Sequence, residues 1–204
     1  MGPFAARQAN GDRMSDAIEK LVAHWVRPEI RELSSYHVQP SSGLIKLDAM
    51  ENPYTWPDKL REPWLDLLRT TDVNRYPDAA ARALSERLQA AMGVPAGMRV
   101  LLGNGSDELI QMIAMSLSGP ARSLLSVDPG FVMYRLIATF CGMQYVGVPL
   151  RAQDFGLDLP AVLQAMEEHQ PAVVFLAYPN NPTANLFDAH AIVEIIRSAC
   201  GLVV

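Results

Sequence analysis

From Arg99 to the end of the chain, short apolar runs alternate with segments of helical length. Arg99–Leu102, Ser123–Val127, Gln144–Val148, Val173–Ala177 and Leu202–Val204 read as strands. Between them Ser106–Leu117, Phe131–Phe140, Asp158–Glu168 and Asp188–Ala199 read as helices. Gly119-Pro120 and Gly142 end the first two, and Asp158 and Asp188 are N-cap candidates for the last two. The run before Tyr178-Pro179 is unbroken and Val-rich, the pattern of a strand buried on both faces. Strands separated by helices of about 10–13 residues predict an α/β fold, a three-layer sandwich around a mostly parallel sheet.

The first half is less regular. Residues 1–13 read as a disordered leader without a signal-peptide core, and Met14 is an alternative start. Ser15 is placed to cap a helix running to about Trp25, with Asp16 and Glu19 in its first turn. Residues 27–56 are Pro-rich, hold one strand-like run at Leu44–Leu47, and read as an arm. Helices are expected over Asp58–Arg69 and Ala79–Met92, separated by Asn74-Arg75-Tyr76-Pro77-Asp78 and closed by Gly93 and Pro95. The expected division is a leader (1–13), a helix and arm (14–56) and a sheet domain (57–204). The apolar end, Gly201-Leu202-Val203-Val204, reads as the start of a buried strand, so the chain is expected to be the N-terminal part of a longer protein.

Composition narrows the class. Half of the 204 residues are hydrophobic and 19% are charged, a globular balance with ample core. A net charge of −5 argues against nucleic acid as the main partner. Two cysteines, Cys141 and Cys200, give no disulfide framework and fit a reducing cytoplasm. No apolar run reaches the ~20 residues of a membrane span. His24, His37, His169 and His190 are scattered without ligand spacing, so no metal site is expected. Lysine occurs only at positions 20, 46 and 59.

Three strand-end segments carry candidate chemistry. Gly103-Asn104-Gly105-Ser106-Asp107-Glu108 lies between a strand and a helix, where glycines admit close backbone approach and the first helical amides favour an anion. It lacks the Lys of a P-loop, and Glu108 takes the place of a third Gly. A plain helix cap at Ser106 explains the same residues. Asp128-Pro129-Gly130-Phe131 ends the next strand, and Phe131 offers either a stacking ring or an ordinary core side chain. Pro179-Asn180-Asn181-Pro182-Thr183 holds two carboxamides at a stiff strand exit, which is also a turn made of turn-forming residues.

In order, LDAMENPY (Leu47–Tyr54), NRYPD, GNGSDE, DPGF-x-x-Y and YPNNPT resemble the class II aminotransferases of the pyridoxal-phosphate fold type I group, most nearly the histidinol-phosphate aminotransferases. The resemblance covers roughly residues 33–204. It implies an enzyme of histidine biosynthesis that uses pyridoxal 5′-phosphate to move an amino group between a phosphorylated amino-alcohol and a 2-oxo acid, as a cytoplasmic homodimer. Carried over, Ser106 and Asp107 would hold the cofactor phosphate, Phe131 would stack on the ring, and Asn181 would donate to its O3′. Tyr76 would reach a neighbouring subunit's phosphate, and Tyr36, Glu51 and Asn52 would border the substrate. The same resemblance leaves open another class II aminotransferase, a phosphothreonine-type decarboxylase, or a non-catalytic truncated product. Two positions depart from the pattern: Ala184 stands where the family usually has Gly, and Met50 replaces the first Asn of the arm motif. No lysine matches a Schiff-base position, so no catalytic residue is assigned and the chain alone is expected to be inactive.

Overall fold

The computed structural model describes residues 16, 18–34, 40, 42–46 and 51–204. The expected leader, the Ser15 cap, Tyr36 and Met50 lie outside the described residues. The chain forms two compact units, one of residues up to Leu33 together with Gly103–Val204, the other of Ser34–Leu102.

In the Ser34–Leu102 unit, helix α3 spans Asp58–Arg69, as its sequence predicts. Helix α4 spans Arg82–Ala91 and starts three residues later than expected from Ala79. The cause is Asp78, whose carboxylate accepts from the amides of Ala80 and Arg82, both at 3.1 Å. That turn holds Ala81 in the left-handed region at φ 42°. The strands expected at Arg99–Leu102 and, among its described residues, at Leu44–Leu47 do not form. Leu101 is exposed, and no neighbouring strand takes up its backbone groups.

The other unit contains a helical segment at residues 18–25 (α1), the short α2 (Pro28–Arg31), and a four-stranded parallel sheet with its helices. In chain order these are α5 (Ser106–Leu117), β1 (Ser123–Asp128), α6 (Val132–Phe140), β2 (Gln144–Pro149), α7 (Leu159–His169), β3 (Val173–Val174), α8 (Ala189–Ser198) and β4 (Leu202–Val203). The strand order is β2-β1-β3-β4, all parallel. The regular part of β3 is shorter than its apolar run. Pairing nevertheless continues, with Phe175 N donating to Leu125 O at 2.9 Å and Leu176 N to Val204 O at 3.0 Å.

The period of two along each strand sorts side chains into two cores. Leu124, Val173 and Phe175 join Ile110, Ala114, Tyr134 and Ile137 on the α5/α6 face. Leu125, Val127, Val174 and Leu176 join Val162, Met166, Ala191 and Ile195 on the α7/α8 face. The structure is therefore the expected three-layer α/β sandwich. Asp158 and Asp188 cap α7 and α8, accepting from Ala161 N at 3.2 Å and Ala191 N at 2.9 Å. Arg27 closes the other end of α6, donating to the carbonyls of Thr139 (3.1 Å) and Phe140 (2.8 Å), where a cation meets the negative end of the helix dipole. Among the described residues, no helix is long and apolar enough to cross a membrane.

Strand order fixes where a ligand cleft lies. From β1 the chain crosses through α6 to β2 on one face, and from β3 it crosses through α8 to β4 on the opposite face. Connections therefore diverge between β1 and β3. At such a switch point the loops leaving the carboxyl ends part and open a crevice. Those two loops are 128–131 and 177–188.

Candidate functional site at the sheet's carboxyl edge

Helix α5 begins at Ser106, so Ser106 is the first helical residue and not the cap. Gly105 occupies the cap position at φ 88° and ψ 170°, and no side chain caps the helix. A residue with a Cβ is strained at such a φ, which accounts for glycine here. Gly103 has no positive φ and serves close packing instead: an added Cβ would come within 2.9 Å of Leu109 Cδ2. Glu108 reaches back to the Asn104 amide, so its carboxylate secures the loop ahead of the helix. Asp107 follows Ser106 in the exposed first turn and brings its charge within reach of Tyr134. Burial, aided by that charge, pushes the Tyr134 phenol above its ordinary pKa.

Tyr134 links this helix start to the β1 exit. Its ring stacks on Phe175 with centroids 4.9 Å apart and meets Phe131 edge-on at 5.4 Å and 87°. Phe131 is half-buried and is the N-cap of α6, so the helix starts one residue later than the expected Phe131. Gly130 is required by close approach, since a Cβ there would lie 2.3 Å from Val127 O.

At the exit of β3 the two adjacent asparagines separate. Asn180 turns inward and is 3% exposed. Its Nδ2 donates to Pro129 O at 3.1 Å and to Thr183 Oγ1 at 2.7 Å, while its backbone N donates to Asn185 O at 3.0 Å. The Thr183 hydroxyl donates in turn to Asn185 Oδ1. Asn181 is only half-buried, and its carboxamide makes no hydrogen bond among the described residues. Of the two carboxamides at this strand exit, only that of Asn181 is without a hydrogen bond among the described residues. Ala184, where the family usually has Gly, sits at φ 58° and donates its amide to Asn180 O at 2.7 Å.

A second polar cluster, centred on Asp128, was not predicted from the sequence. Asp128 accepts from Tyr145 Oη at 3.1 Å and from Arg135 Nη2 at 2.9 Å, and the Arg135 guanidinium lies 4.2 Å above the Tyr145 ring. Burial and the neighbouring Asp128 charge push the Tyr145 phenol up to about 12. Gly147, opposite Ser126 in the ladder, leaves the space: an added Cβ would lie 1.9 Å from Asp128 Oδ2. The signal was the β1–β2 register, which a linear motif does not show.

The structure thus sets the Asp107 charge near Tyr134, packs Tyr134 edge-on against Phe131, and ties the Phe131 loop to the Asn181 loop through Asn180. The other expected site residues belong to the Ser34–Leu102 unit. There Tyr76 is fully exposed, Glu51 pairs with Lys46 at 2.8 Å, and Asn52 Oδ1 accepts from Tyr54 N at 3.0 Å. Among the described residues no group of acidic, His and Cys side chains could hold a metal.

Comparison with known proteins gives the family. The family model for aminotransferase class I and II matches residues 42–204. The chain belongs to the class I and II aminotransferases. It is 58% identical to a histidinol-phosphate aminotransferase of Thiocapsa roseopersicina over 184 residues, covering 90% of this chain and 97% of that protein. It is 57% identical to histidinol-phosphate aminotransferase 2 of Nitrosococcus oceani, covering 90% of this chain but 51% of that protein. This aminotransferase chain therefore spans about half the length of several curated relatives it matches. Among solved structures, histidinol-phosphate aminotransferase from Sinorhizobium meliloti in complex with pyridoxal-5′-phosphate superposes with a TM-score of 0.69 at 21% identity, covering 88% of this chain and 50% of that one. N-succinyldiaminopimelate aminotransferase from Mycobacterium tuberculosis superposes at 0.59 with 26% identity, covering 72% and 41%.

Proposed function

We propose that the sheet edge at β1 and β3 is the cofactor-holding part of a histidinol-phosphate aminotransferase, which transfers an amino group between L-histidinol phosphate and 2-oxoglutarate. The observation that carries this reading is the half-buried Asn181 carboxamide, without a hydrogen bond among the described residues, on a switch-point loop tied to the loop of Phe131. The residues present suit pyridoxal 5′-phosphate. The uncapped start of α5 offers the Ser106 hydroxyl and the amides of Ser106 and Asp107 to a phosphate. Phe131 offers a flat ring, keeping stacking while lacking a hydroxyl. Asn181 offers a neutral N–H donor for a phenolate oxygen, which stabilises that anion by a hydrogen bond without transferring a proton to it.

When bound, pyridoxal phosphate supplies an electron sink for the carbon that loses its proton. The chain's own residues then bind and orient. The α5 amides fix the phosphate end, Phe131 restrains the ring face, and Asn181 holds the phenolic oxygen. Lys20, Lys46 and Lys59 match no Schiff-base position, so these 204 residues supply holding groups and no proton-transferring base. Tyr76, Glu51, Asn52 and Tyr36 are proposed for the dimer-shared phosphate contact and the substrate border, on the resemblance. The proposed setting is a cytoplasmic homodimer.

The test is pyridoxal phosphate titration of the 204-residue chain by absorbance, alongside Phe131→Ala and Asn181→Ala. Each variant is expected to bind at least tenfold more weakly, a loss of about 1.4 kcal/mol. Equal affinity in parent and variants would refute the site. Transamination of L-histidinol phosphate measured against aromatic amino acids, with protein of the relatives' full length, tests the substrate.

A further inference from the structure

Asn180 is buried at the switch point yet poorly satisfied. Its Nδ2 makes both of its hydrogen bonds, while its buried Oδ1 has no partner among the described residues. A buried acceptor without a partner is unfavourable, so overall stability does not explain an asparagine here. What the side chain does achieve is specific. One N–H reaches across 51 positions of sequence to Pro129 O in the Phe131 loop. The other holds Thr183 in the Asn181 loop. The Asn180 backbone carbonyl also accepts from Ala184, closing that loop on itself.

We propose that Asn180 is a positioning residue, whose carboxamide sets the separation between the Phe131 ring and the Asn181 amide. The proposal rests on the functional reading above, in which those two groups grip opposite features of one ligand. Asn180 touches neither ligand nor reacting atoms and acts through its neighbours. A rigid link suits this task because the two loops leave adjacent strands toward opposite faces.

The geometry separates positioning from stability. Pro129 is exposed and Thr183 half-buried, so water can replace the lost donors when Asn180 is changed. Asn180→Leu keeps nearly the same shape and removes the partnerless oxygen together with both donors. The expected result is a melting temperature close to the parent's, with faster hydrogen exchange in both loops, 128–131 and 177–185, and pyridoxal phosphate affinity at least tenfold weaker. Thr183→Val is the milder companion, expected to loosen 177–185 while leaving 128–131 unchanged. It serves if the Leu variant does not fold, because loosening of 128–131 by Thr183→Val would contradict a link that runs through Asn180 alone.

Unchanged exchange at 128–131 in Asn180→Leu overturns the proposal, as does unchanged affinity. A fall in melting temperature with uniformly faster exchange throughout the sheet also overturns it, since that is a structural role only. If the parent chain binds no pyridoxal phosphate, the functional reading fails separately. The exchange pattern of the unliganded variants then decides whether Asn180 couples the two loops.

Discussion

Replacing Ala184 by Gly should stabilise the protein. Ala184 sits at φ 58° in the loop that carries Asn181. Left-handed backbone costs a residue with a Cβ about 1–2 kcal/mol, because Cβ crowds the following carbonyl. Glycine removes that cost but gives up about 0.5–1 kcal/mol of its greater freedom in the unfolded chain. The difference is a gain of about 0.5–1 kcal/mol. For a chain of this size that raises the melting temperature by about 1–4 °C. Ala184 is exposed, and its amide bond to Asn180 O does not involve its side chain, so no packing is lost. Thermal unfolding followed by far-UV circular dichroism measures the effect. Gln170→Gly is the control, since Gln170 is exposed in the same region at φ 42° and ends α7. The reasoning is refuted for this loop if Gln170→Gly raises the midpoint while Ala184→Gly leaves it unchanged or lowers it.

Three further outcomes follow from named contacts. Gly147→Ala should displace Asp128, costing about 1–3 kcal/mol in denaturant unfolding, because its Cβ would lie 1.9 Å from Oδ2. Asp188→Ala should remove the α8 cap and cost about 1 kcal/mol in the same assay, leaving the Ala191 amide without its acceptor. Tyr145 has a pKa raised to about 12, against an ordinary value of 10.0 that it regains on unfolding. Between those values the unfolded chain releases a proton that the folded chain keeps, so stability is unaffected below the lower value and falls as pH rises toward the upper. Urea midpoints measured across that interval should therefore drop less steeply for Tyr145→Phe than for the parent.

The elements most legible in the sequence were those with strong local punctuation. Helix α3 over Asp58–Arg69 and helix α5 over Ser106–Leu117 have the bounds their sequence predicts, and the Asp158 and Asp188 caps were readable because a short carboxylate ahead of a helix has one favourable partner. The Arg99–Leu102 run misled because a short apolar stretch becomes a strand only when another strand pairs with it, and pairing is non-local. Asp128, Arg135 and Tyr145 were not connected for the same reason, since only the parallel ladder brings them together. Asn180 and Asn181 are chemically identical neighbours. Which of them turns inward depends on Pro129, far away in sequence, and no local pattern contains that information.

The alternation along β1 has a consequence for how this gene can vary. Leu124 feeds one core, and Leu125 and Val127 feed the other. Exchanging one aliphatic side chain for another changes volume within a single layer. Deleting one residue inside β1 instead sends every later side chain to the opposite layer and moves Ser126 from its bond with Phe175 O. A deletion scan should therefore find β1 intolerant at every position, with substitutions far better accepted. In the exposed turn at 120–122, where no layer is at stake, single deletions should survive. The strand is constrained more in its count of residues than in their identity.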